Sequence, residues 1–126
     1  MQADKTTILI VEDESLIRQA LAQKLKNEGY QTLEAESGEE GLKKALETKP
    51  NLILLDIILP LMDGISVLDA LRKDEWGKNA KVIILSNLSD ETKASLAKDK
   101  GVSDYLIKTN WDINDVVKKI KQKLAA

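Results

Sequence analysis

Five short apolar runs alternate along the chain with five amphipathic stretches. Thr7-Ile8-Leu9-Ile10-Val11 reads as a buried strand that stops abruptly at Glu12-Asp13-Glu14. A helix follows with Leu16, Ile17, Ala20, Leu21 and Leu25 on one stripe, and Gly29 ends it. Gln31 to Ala35 reads as a second strand. Ser37-Gly38-Glu39-Glu40 has capping-box spacing and opens a helix carrying Leu42, Ala45 and Leu46, which ends before Pro50. Leu52-Ile53-Leu54-Leu55 lacks polar alternation, which predicts a strand covered on both faces and ending at Asp56. A connection through Pro60 and Gly64 leads to a third helix with Ile65, Val67, Leu68 and Leu71 inward. Lys81-Val82-Ile83-Ile84-Leu85 is the fourth strand, ending at Ser86. The fourth helix, about Asp90 to Lys100, has only Ala94, Leu96 and Ala97 as a thin apolar face. Asp104-Tyr105-Leu106-Ile107 is the fifth strand, ending at Lys108. The last helix turns Ile113, Val116, Val117, Ile120 and Leu124 inward and Lys118, Lys119, Lys121 and Lys123 mostly outward.

Strand–helix units in series predict an α/β fold with a parallel, doubly wound sheet. Ligands of such sheets bind beyond the carboxyl ends of the strands, at the point where strand order reverses. Four of the five strand ends carry polar or charged residues: Glu12-Asp13, Asp56, Ser86 and Lys108. The fold should gather them although they are distant in sequence.

Composition narrows what they can do. A chain of 126 residues, 43% hydrophobic, suits one domain over 1–126 with its core at about 6–124 and no output domain. Cysteine and histidine are absent, which excludes thiol chemistry, zinc–thiolate sites and the commonest general base. Carboxylates, hydroxyls and amines remain, and these suit hard cations such as Mg²⁺ or Ca²⁺. The 19 Lys and Arg residues against 21 Asp and Glu give no electrostatic pull toward nucleic acid or an anionic membrane. With a polar N-terminus and no apolar run long enough to span a bilayer, a cytoplasmic location is expected.

Glu12, Asp13 and Asp56 in one crevice would repel one another unless a cation joins them, which makes them a candidate Mg²⁺ cradle. Each residue also has a plainer reading. Glu12 and Asp13 would favour the start of a helix, Asp56 would form a salt bridge to Lys108, Ser86 would cap a turn, and Lys108 would be a surface lysine. Their joint occurrence on four strand ends favours the functional reading. An aspartate nucleophile, a metal site, a hydroxyl and a cation are what phosphoryl transfer to a carboxylate needs.

Over essentially its whole length the chain resembles the receiver domains of bacterial two-component response regulators. The resemblance rests on Val11-Glu12-Asp13-Glu14, on Asp56-Ile57-Ile58-Leu59-Pro60-Leu61-Met62-Asp63-Gly64, on Ser86, and on Tyr105 three residues before Lys108. It implies a five-stranded (βα)5, flavodoxin-like sheet of order 2-1-3-4-5 and a signalling module, not an enzyme acting on an outside metabolite. It implies Asp56 as phosphoacceptor, with Mg²⁺ held by Glu12, Asp13, Asp56 and the Ile58 carbonyl. Ser86 and Lys108 become phosphoryl contacts, Ser86 and Tyr105 the switch pair, and Ile58 and Leu88 the side chains that tune hydrolysis. The implied partners are a histidine kinase or phosphotransfer protein, and a downstream protein or second copy on the helix 4–strand 5–helix 5 face. A pseudo-receiver that is never phosphorylated is the alternative. The chain departs from the pattern twice. Thr109 follows Lys108 where the family usually has a cis proline, so a trans bond is expected, and Leu61 stands where glycine is common.

Overall fold

The computed structural model describes residues 6–87 and 91–125. Five parallel strands, β1 (Thr7–Val11), β2 (Gln31–Ala35), β3 (Leu52–Leu55), β4 (Val82–Ser86) and β5 (Asp104–Ile107), form one sheet. Their order is β2-β1-β3-β4-β5, as the resemblance implies. The helices are α1 (Ser15–Asn27), α2 (Gly38–Thr48), α3 (Gly64–Lys73), α4 (Glu91–Asp99) and α5 (Ile113–Ala125). Two short 3-10 turns, Gly77–Asn79 and Lys108–Asn110, had no counterpart in the periodicity.

Successive side chains of a strand point to opposite faces, and each face of this sheet is a separate core. Leu9, Val11, Ile53, Leu55, Val82 and Ile84 pack against Ala45 of α2, Val67, Leu68 and Leu71 of α3 and Ala97 of α4. Ile8, Ile10, Leu52, Leu54, Ile83 and Leu85 pack against Leu21, Ala22 and Leu25 of α1 and Val116, Val117 and Ile120 of α5. That double burial is why β3 shows no polar alternation.

Local signals place the start of α2 and the end of α1. The Ser37 hydroxyl accepts the Glu40 N–H at 3.2 Å, while Glu40 reaches back to the Glu36 N–H at 2.7 Å. Gly29, with φ +97°, follows α1 in the left-handed conformation that terminates helices. The face of α1 differs from expectation. Leu21 and Leu25 are buried as expected, but Leu16 is 83% exposed and Ala20 is exposed, and Arg18 and Ala22 are buried in their place. Two i, i+4 rows compete on this helix, and the row containing Arg18 wins because its guanidinium finds acceptors in the half-buried Glu34 carboxylate and the buried Glu12 carbonyl. The fourth strand also sits one residue later than expected, so Ser86 is its last member.

No cis peptide occurs among the described residues, and the Lys108–Thr109 bond is trans. Leu61 adopts φ +67° and is 97% exposed. A side chain in this conformation costs about 1–2 kcal/mol, so the position would suit glycine better. Leu61→Gly is expected to raise stability by about 0.5–1 kcal/mol once the greater unfolded-state freedom of glycine is subtracted. A urea midpoint shifted upward at constant slope checks this.

Candidate functional site

β1 and β3 lie side by side with Val11 opposite Leu55, so Glu12 and Asp56 leave the sheet as neighbours at its carboxyl edge. The order reverses here, because β2 lies on the far side of β1 and β4 on the far side of β3. One carboxylate oxygen from each of Glu12, Asp13 and Asp56 lies within 4.8 Å of the others. Glu12 and Asp56 are 3% and 4% exposed, whereas Asp13 is exposed and forms the open side of the cluster.

Lys108, in the 3-10 turn after β5, reaches into this cluster. Its Nζ lies 2.6 Å from Glu12 Oε1, 3.0 Å from Asp56 Oδ2 and 3.0 Å from Glu14 Oε1. The salt bridge considered for Asp56 is therefore present, and it coexists with the acidic cluster. The second Asp56 oxygen, Oδ1, accepts the Ile58 N–H at 3.0 Å. Glu12 Oε2 accepts the Glu14 N–H at 3.1 Å. Glu14 stands at the N-cap of α1 without capping it, since its side chain turns to Lys108.

The electrostatics follow from burial. Removal from water pushes the Glu12 carboxyl up to about 7, against hydrogen bonds from Lys108 and the Glu14 N–H, and the nearby Asp56 charge adds to the rise. Burial would lower Lys108, but its hydrogen bonds to Glu12, Glu14 and Asp56 outweigh that and hold the ammonium above its ordinary range. Lys108 thus stays a fixed cation.

Ser86 ends β4, the strand between β3 and β5, and is fully buried. Tyr105 of β5 is half-buried and packs against the core beneath α2, α3 and α4. The Ile58 side chain is 54% exposed at the rim. Leu88 and Asp90 lie outside the described residues. The structure therefore gathers Glu12, Asp13, Asp56 and Lys108 directly. Sequence reasoning gave no role to Glu14 or to Arg18, whose Nη1 donates to the Glu12 carbonyl at 3.0 Å. No local pattern marks either contact: Glu14 meets Lys108 from 94 residues away, and Arg18 reaches a backbone carbonyl, which any residue type supplies.

A family model described as the response regulator receiver domain matches residues 8–121. The transcriptional regulatory protein ResD of Bacillus subtilis is 36% identical over 123 residues, covering 98% of this chain and 50% of that protein. The KDP operon transcriptional regulatory protein KdpE of Escherichia coli is 44% identical over 103 residues, 82% of this chain and 44% of that protein. The chain spans about half the length of these curated relatives. A CheY-like receiver domain protein from Methanospirillum hungatei has a TM-score of 0.89 at 32% identity, covering 97% of this chain and 95% of that one. A chain in the CheX–CheY–BeF3–Mg²⁺ complex of Borrelia burgdorferi has a TM-score of 0.83 at 29% identity, over 92% of this chain and 87% of that one. The acidic edge at the strand-order reversal and a family match along nearly the whole sheet lead to the same assignment: the chain belongs to the response regulator receiver domains of two-component systems.

Proposed function

We propose that this receiver is a phosphoacceptor switch in which Asp56 takes a phosphoryl group in the presence of Mg²⁺, from a histidine kinase, a phosphotransfer protein or a small phosphodonor. One observation carries the reading. Asp56 is a buried carboxylate with Lys108 on one oxygen and the Ile58 N–H on the other, grouped with Glu12 and Asp13. A structural salt bridge alone would not require two further carboxylates beside it.

The donor set fits Mg²⁺, since every ligand offered is oxygen and the exposed Asp13 side leaves room for water and phosphoryl oxygens. Glu12, Asp13, Asp56 and the Ile58 carbonyl would hold the ion, and when bound it would supply positive charge beside the transferred group. The remaining work falls to the chain. A carboxylate oxygen of Asp56 forms the new bond to phosphorus while the bond from phosphorus to the donor breaks. Lys108, already held at Asp56, neutralises a phosphoryl oxygen, and the Ser86 hydroxyl donates to another.

Hydrolysis of the product needs an oriented water, and the Ile58 side chain at the rim cannot hydrogen-bond one. Leu88, outside the described residues, is assigned the same tuning role. The phosphorylated form should be long-lived. Ile58→Asn is expected to speed loss of phosphate by roughly 3- to 10-fold, below the range of a fully positioned acid–base group. An unchanged or slower decay would count against this role.

Output is assigned to α4, β5 and α5, the surface offered to a downstream protein or a second copy. Of α4 only Ala97 is buried, so its hold on the core is small. Its C-terminal end is tied to α3, through Arg72 to the Lys100 carbonyl at 2.6 Å and Lys100 to Asp69 at 2.5 Å. Drawing Ser86 toward the phosphoryl would open space for Tyr105 and shift a two-state equilibrium. Amide chemical shifts with and without Mg²⁺ and beryllofluoride test the proposal. Changes at the pocket and across α4, β5 and α5 are expected. Changes confined to the pocket, or centred on α1 and α2, would refute the output surface, and no binding would favour the pseudo-receiver.

A further inference from the structure

We propose that Arg18 is a positioning residue for the acidic cluster, its guanidinium fixing the Glu12–Asp13 peptide so that Asp13 joins Glu12 and Asp56 around a divalent cation. The proposal rests on the Mg²⁺-dependent reading above.

Arg18 is 7% exposed, on the face of α1 that packs against the sheet. A buried guanidinium needs good hydrogen-bond partners, and this one has two on different elements. Nε donates to Glu34 Oε1 on β2 at 3.0 Å, and Nη1 donates to the backbone carbonyl of Glu12 at 3.0 Å. The planar fork of arginine serves both at once from two different nitrogens in a fixed geometry.

The Glu12 carbonyl matters because of where it stands. β1 ends at Val11, and the Glu12 N–H is held by the Ala35 carbonyl at 3.0 Å. Lys108 and the Glu14 N–H hold its two carboxylate oxygens. With Arg18 on the carbonyl, every polar group of Glu12 is fixed. The next peptide is planar, so fixing the Glu12 oxygen also fixes the nitrogen and the Cα of Asp13, the atom from which its side chain departs. Asp13 is exposed and lacks the burial that holds the other two carboxylates. Its position is set through the backbone, by Arg18 on the peptide before it and by the Glu12 carboxylate on the Glu14 N–H after it.

The plainer role for Arg18 is an ion pair tying α1 to the edge strand through Glu34. Three variants of the whole chain separate the two roles: Arg18→Met, Arg18→Lys and Glu34→Gln. Each is measured for unfolding in urea and for Mg²⁺ affinity by amide-shift titration without phosphodonor. Both Arg18 variants are expected to weaken Mg²⁺ binding by about 10-fold or more, the scale seen when groups that orient metal ligands are lost. The Asp13 amide resonance should move already in their metal-free spectra. Glu34→Gln loses the ion pair but keeps the carbonyl contact, so its Mg²⁺ affinity should match wild type. Arg18→Lys provides the test if the methionine variant does not fold. Undiminished Mg²⁺ binding in the Arg18 variants overturns the proposal alone, as does equal weakening in Glu34→Gln. Wild-type protein that binds no Mg²⁺ overturns the underlying reading and this proposal with it.

Discussion

Gly64→Ala is expected to destabilise the protein by about 3 kcal/mol, the upper end of the range for overpacking. Gly64 is the first residue of α3, and its N–H donates to the Ile57 carbonyl at 2.9 Å. A Cβ there would lie 2.3 Å from the Asp56 carbonyl oxygen, 2.7 Å from Ile57 Cα and 3.0 Å from the Asp56 carbonyl carbon. All three are backbone atoms, so no rotamer change relieves the clash. Either the start of α3 retreats or the Asp56–Ile57 backbone does, and the latter carries the proposed acceptor carboxylate. Phosphorylation should therefore slow in parallel with the loss of stability. Urea unfolding of the variant checks the first part, and a loss below about 1 kcal/mol would mean that the helix and loop are not in this close contact.

Lys108→Met is expected to lower metal-free stability by about 2–4 kcal/mol at pH 8, with a clearly smaller loss near pH 5.5. Removing one partner of a buried ion pair leaves the other uncompensated, at about 3–5 kcal/mol for a fully buried case. Here Glu12 and Asp56 would both lose their cation, while the half-exposed Glu14 would lose little. Protonation limits the damage. Burial already pushes Glu12 up to about 7 from an ordinary 4.5. Between those values the folded state holds a proton that the unfolded state has released, so metal-free stability falls as pH rises through this window. Without Lys108 the carboxyl rises further, and at pH 5.5 it is neutral in both proteins. What remains there is the lost partner of Asp56. Parallel urea titrations at the two pH values measure the difference, and equal losses at both would contradict this account of Glu12.

Much of this was legible in the sequence because the two-sided core imposes long apolar runs. β1, β2, β3 and β5 fall where the runs predict them, as at Leu52–Leu55. The orientation of α1 was not legible. Its apolar residues support two rows, and the choice between them depends on acceptors for Arg18 supplied by Glu34 and the Glu12 backbone. The acidic residues and Lys108 were legible as strand ends, since a parallel sheet brings those together whatever lies between. Glu14 was not, because its ion pair with Lys108 joins residues 94 apart. Leu61 was visible only as a departure from the family pattern, and its φ of +67° gives the physical content of that departure.

The central claim is that Asp56 accepts the phosphoryl group. Mass spectrometry of the chain incubated with Mg²⁺ and acetyl phosphate addresses it most directly. The account predicts a single phosphoryl adduct located at Asp56, absent without Mg²⁺ and absent from Asp56→Asn. An equal adduct on Asp56→Asn, or none on the wild-type chain, would contradict it.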